Sequence, residues 1–108
     1  MTRMNMTNDN AAVVSRFFSA IDRLIADGVL RGLKTFTSRY GINRWNFQSM
    51  KKDHAAGGTF QPSWLSYLVT DFKVSPLWLL TGEGDFWMAG FSADMVRKLH
   101  INCTKNSA

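Results

Sequence analysis

Residues Arg39 to Lys52 read RYGINRWNFQSMKK, and this stretch decides the fold. Gly41 breaks one short apolar-periodic segment, and Asn43 opens another. Before the break, LKTFTSRY carries Leu33, Phe36 and Tyr40 three and four residues apart, the spacing of one helix face. After it, Asn43 can cap a helix from Arg44 to about Lys52. On a helical wheel Phe47 and Met50 define the inner face of that helix, and Trp45 and Ser49 fall opposite. Gln48 and Lys52 flank them, and Arg44 sits at the amino-terminal end. With Ile42 as a single apolar plug, two helices of this kind pack across each other as a helix-turn-helix.

Working outward, NDNAAVVSRFFSAIDRLIADG reads as an amphipathic helix, with Val14, Phe17, Phe18, Ile21, Leu24 and Ile25 on one stripe. Asp9 or Asn10 can cap it, and Asp27-Gly28 stops it. Downstream, DHAAGGTFQ is a loop by composition, its Gly57-Gly58 pair being a strong breaker. Pro62 suits the first turn of a fourth helix with Trp64, Leu65, Leu68, Val69 and Phe72 apolar. Ser75 caps a fifth, again with proline in its first position, and Gly82 closes it. Ser92 can cap a sixth carrying Met95, Val96 and Leu99. No strand-like alternation and no internal repeat appears. The expected fold is all-α, a bundle of five to six helices.

The chain has 108 residues, enough for one domain with a real core, and 14 aromatic residues to fill it. A single cysteine, Cys103, excludes an internal disulfide framework and a cysteine zinc site. The start, MTRMNMTNDN, lacks the apolar run of about 7 to 15 residues of a signal peptide. No run approaches the roughly 18 apolar residues of a membrane span. A cytoplasmic protein is expected. His54, His100 and Cys103 fall in no catalytic or metal-ligand motif, so no enzyme activity and no cofactor are expected.

The net charge is +5, and its location is informative. Between Arg31 and Lys52 lie six basic residues (Arg31, Lys34, Arg39, Arg44, Lys51 and Lys52) and no acidic one, while the rest of the chain carries seven basic and eight acidic residues. A solvated face usually mixes both signs; a localised basic patch is the footprint of a nucleic-acid binder. The third helix adds suitable chemistry. Arginine pairs bidentately with guanine and glutamine with adenine, while serine bonds either way. Trp45 offers a flat surface to a thymine methyl or a sugar. Lys51 and Lys52 can neutralise phosphates, which supplies affinity without sequence information.

The helix-turn-helix, together with VSPLWLLTGEGDFW from Val74 to Trp87, resembles the lambda-repressor-like helix-turn-helix domains of the Xre and phage-repressor type. The resemblance covers about residues 12 to 87. It implies sequence-specific binding of double-stranded DNA by a transcriptional regulator, expected to be a repressor. Asn43, Arg44, Trp45, Gln48 and Ser49 would face bases or the adjacent backbone. Lys34 and Thr35, with Lys51 and Lys52, would hold phosphates; Arg39 is a weaker candidate. Two departures stand out. The position four before the turn glycine is usually alanine and here is Thr37, which fits if its hydroxyl bonds back to a helical carbonyl. Members of this branch often continue into a self-cleaving peptidase domain, which is not expected here.

Alternatives stay open at several residues. Asn43 serves equally well as a pure helix cap. Trp45 would be core if the Gly57-Gly58 loop covered it. Trp64 and Trp78 read as core, and the acidic GEGD as a helix stop, not a phosphate loop. The organisation expected is a flexible tail at 1–10, the helix-turn-helix domain at 11–87, and a C-terminal extension at 88–108. DFWMAGFSADMVRKLHI is rich in large apolar groups, so it either folds back onto the core or forms a dimer contact; a homodimer is the expectation. Two other functions fit the same residues: a protein-interaction module docking through Trp45, or the DNA-binding antitoxin of a toxin pair.

Overall fold

A computed structural model describes residues 8–53 and 60–107, with side chains described from Asn10 to Asp53 and from Phe60 to His100. His54, the Gly57-Gly58 loop, most of the N-terminal tail and the Cys103 side chain lie outside them. The described chain is all-helical. In order come α1 (Asn8–Ala26), α2 (Leu33–Tyr40), α3 (Arg44–Lys52), α4 (Pro62–Phe72), α5 (Pro76–Thr81) and α6 (Ala93–Ser107). None of the described helices is long and apolar enough to cross a membrane.

The α1 stripe does what its spacing predicts. Val14, Phe17, Phe18, Ile21 and Leu24 are buried, and Ile25 packs against them. Phe17 is the hub of the core. Its ring meets Phe18, Phe36, Phe47 and Phe60 edge-on, at centroid separations between 5.1 and 6.0 Å. Edge-to-face pairs contribute about 0.5–1.5 kcal/mol each beyond area burial, so one side chain couples α1, α2 and α3. The start of α1 differs from expectation. The helix already includes Asn8, so Asp9 and Asn10 lie inside its first turn.

Proline and cap signals hold for α4 and α5. Pro62 and Pro76 occupy first-turn positions, and Ser75 Oγ accepts from the Trp78 N–H. Gly82 closes α5 in the left-handed conformation, φ 80°. The α4 stop carries no glycine signal: Lys73 adopts φ 59°. From there the chain forms a single antiparallel bridge, Val74 with Trp87. The Ser75 N–H donates to Phe86 O and the Met88 N–H to Lys73 O, at 2.8 and 2.9 Å.

That bridge starts the fold-back of the C-terminal segment. Phe86 and Val96 are buried core residues, and Phe91 and Trp87 pack against the cluster. Arg97 donates to the Asp27 carbonyl at the end of α1, 2.6 Å away, and also pairs with Asp94. The extension from residue 88 therefore packs back onto the preceding helices. Met95 and Leu99 remain outside the core, as do Leu77 and Leu80 of α5.

Candidate nucleic-acid interface

The turn between α2 and α3 sets the geometry of the site. Gly41 adopts φ 65°, and both its N–H and that of Ile42 return to the Thr37 carbonyl. Asn43 then begins α3, its side-chain oxygen accepting from the Asn46 N–H at 2.9 Å. Thr37 is buried, and its hydroxyl donates to the Lys34 carbonyl at 3.1 Å. The helix thus satisfies that hydroxyl internally.

α3 is anchored by two side chains, Phe47 and Met50, both almost wholly buried. Phe47 stacks on Phe36 and meets Phe18 and Trp64 edge-on. With those fixed, the opposite face must point outward, and Arg44, Trp45, Gln48 and Lys52 are all exposed. Trp45 is 70% exposed, so it is not core. An exposed indole is costly to keep in water and is unusual on a helix of nine residues. Ser49 is half-buried beside this face. Asn43 is exposed while serving as the cap.

The basic residues divide into two groups. Lys51 turns toward α1, its Nζ 3.4 Å from Asp22 Oδ1, and so stands away from the outward face. This follows from its position four residues after buried Phe47, which puts it on the same side of the helix. Arg39 turns toward α4 and α6, contacting Asp71 and His100. Arg31, Lys34, Arg44 and Lys52 are exposed, and no acidic side chain among the described residues pairs with them. Lys34 and Thr35 stand at the start of α2, whose cap position, Gly32, provides no side-chain bond. The free N–H groups there and the adjacent cation favour an anion.

A cleft beside the turn is lined by Tyr40, Asn43, Asn46, Gln61, Ser63 and Tyr67 among others. Sequence reasoning did not find Asn46, Gln61 or Ser63, which no local motif marks. Among the described residues no group of three His, Cys, Asp or Glu side chains could hold a metal ion. Comparison with family models, with curated proteins and with solved structures finds no match.

Proposed function

We propose that the chain binds double-stranded DNA and regulates transcription, as a lambda-repressor-like helix-turn-helix domain with α3 in the major groove. The observation that carries this reading is the outward face of α3. Arg44, Trp45, Gln48 and Lys52 are exposed on one helix, without acidic partners among the described residues, while Phe47 and Met50 anchor that helix in the core. Arg44 and Gln48 supply base-edge chemistry, and Trp45 supplies apolar contact. Lys52, Lys34 and the open start of α2 supply phosphate contacts. Lys51 contributes less, because Asp22 already neutralises it.

Occupancy is the mechanism: bound protein excludes polymerase from the site. A two-fold dimer would read half-sites about 34 Å apart, and among the described residues Leu77, Leu80, Met95 and Leu99 are exposed apolar side chains, away from α3, that suit such a contact. The 70% exposure of Trp45 also favours a second reading, a protein-docking face on the same fold.

Paired substitutions on α3 test the proposal. Gln48→Ala relaxes base preference at one position, costing about 1–3 kcal/mol on the preferred duplex. Lys52→Ala weakens binding to all duplexes alike. Equal behaviour of the two variants would refute the orientation of α3. Binding that resists salt and depends on Trp45 alone would favour the docking face.

A further inference from the structure

His100 belongs to α6 but is held by two other helices. Its ring stacks on Phe72 of α4, with centroids 4.3 Å apart and planes 10° from parallel. Nδ1 lies 3.2 Å from Arg39 Nη1 of α2, and Nε2 lies 2.7 Å from the Asp71 carbonyl oxygen. Those partners fix the proton. A guanidinium only donates, so Nδ1 must accept; a carbonyl only accepts, so Nε2 must carry the hydrogen. The ring in this position is neutral.

The charged and titratable groups around it come from each neighbouring element. α2 presents Arg39. α4 presents the Asp71 carboxylate, which lies 3.9 Å from Arg39 Nη2 and accepts from the Tyr40 hydroxyl at 2.5 Å. Lys73 stands just past the end of α4. On α6 itself, Arg97 is turned away to Asp27 and Asp94. Burial, and then the hydrogen bond to Asp71, push the Tyr40 phenol well above its ordinary range, so it remains a donor.

We propose that His100 is a proton-operated latch that fastens α6 to the helix-turn-helix through Arg39 and to α4 through Asp71 and Phe72. A proton added at Nδ1 turns the acceptor that His100 offers Arg39 into a donor. It also sets a second positive charge 3.2 Å from the guanidinium. The hydrogen bond is lost, the ring leaves Phe72, and this part of α6 detaches from α2 and α4. Arg39 is then released from His100, although Asp71 still faces it. No step involves nucleic acid, so the latch stands or falls apart from the DNA reading.

The direction of the pH response follows from the surroundings. Burial holds the His100 ring below its ordinary value of 6.5; the Asp71 carbonyl and, more weakly, the Asp71 carboxylate oppose this, and Arg39 and Lys73 add to the lowering. The detached ring titrates near its ordinary value and the latched ring below it, so the latched state binds fewer protons between the two. Latching is therefore complete above the ordinary value and is lost as pH falls through the lower one. One proton limits the change in the open-to-closed ratio to about tenfold per pH unit.

The test uses the full chain, with His54→Gln as background so that one imidazole remains. Nitrogen-15 NMR follows the His100 ring from pH 8 to 5, and hydrogen exchange, corrected for intrinsic chemistry, follows the amides of residues 93–100. The expected result is an Nε2–H tautomer titrating below 6.5, with opening of α6 rising by up to about tenfold per unit and α1 unaffected. In His100→Gln, whose amide offers a donor and an acceptor but gains no proton, the pH dependence of α6 disappears. Arg39→Gln raises the titration of His100 and serves where His100→Gln does not fold. A ring titrating at or above the ordinary value, α6 opening independent of pH, an unchanged dependence in His100→Gln, or an unmoved titration in Arg39→Gln would each overturn the latch.

Discussion

Arg16→Met tests whether one long-range side chain caps the last carbonyls of α5. The Arg16 guanidinium reaches 63 and 64 residues along the chain, Nε donating to the Leu79 carbonyl and Nη2 to the Leu80 carbonyl, both at 2.8 Å. These are carbonyls of the last turn of α5, which the helix cannot satisfy internally. Methionine keeps much of the aliphatic stem and its packing, so the change isolates the two hydrogen bonds. A hydrogen bond from a charged donor contributes about 1.5–3 kcal/mol, and an acceptor open to water recovers most of that on losing its donor. The Leu80 bond is exposed and the Leu79 bond only partly buried, which places the expected loss at about 1.5–2 kcal/mol. For a domain of this size that corresponds to a fall in melting temperature of roughly 6–10 °C. Urea unfolding followed by tryptophan fluorescence measures it, with Trp78 inside α5 as the nearest reporter. Arg16→Lys recovers at most part of the loss, because an ammonium does not present the flat fork that spans two carbonyls. A loss under about 0.5 kcal/mol for Arg16→Met would refute the assignment of Arg16 as the cap of α5.

Other substitutions probe the remaining elements. Asn43→Ala removes the cap of α3 and lowers stability by about 1 kcal/mol, measured by urea unfolding without DNA; a neutral result would show that the cap bond is not formed in solution. Trp45→Ala, at a 70% exposed site, changes stability by no more than about 0.5 kcal/mol while DNA affinity drops; unfolding on substitution would place Trp45 in the core after all. Lys73 holds φ 59°, so Lys73→Val loses about 1–2 kcal/mol in thermal unfolding while Lys73→Gly does not. Equal loss in the two variants would trace the effect to the lysine side chain instead of the backbone.

These substitutions also divide what the sequence carries from what only the structure carries. The helix order, the Gly41 turn and the caps at Asn43, Ser75 and Ser92 were readable because each is set by residues within four positions of one another. Hydrophobic spacing likewise identified Phe17, Phe47 and Met50 as core, and put Trp45 on the opposite face of its helix while leaving open that a loop covered it. Features joined across the chain were not readable. Arg16 meets α5, Lys51 meets Asp22 on α1, and Arg39 meets His100 only after the helices have packed. Counting charge along the chain placed six cations in the basic stretch, but packing diverts Arg39 and Lys51 to internal partners. The bridge at Val74 and Trp87 left no alternation to detect, being a single residue pair. A left-handed Lys73 defeats any search for helix stops by glycine. The C-terminal segment was ambiguous because the same apolar residues suit a core and a dimer contact; Phe86 and Val96 are inside, while Met95 and Leu99 stay on the surface.

Selection from a random duplex library, followed by titration of the selected sequence and a scrambled control at two salt concentrations, tests DNA binding most directly. The outward face of α3 predicts a palindromic winner, preferred over the control by at least about 10³-fold, with affinity for both falling steeply as salt rises. No binding to either duplex at low salt would contradict it.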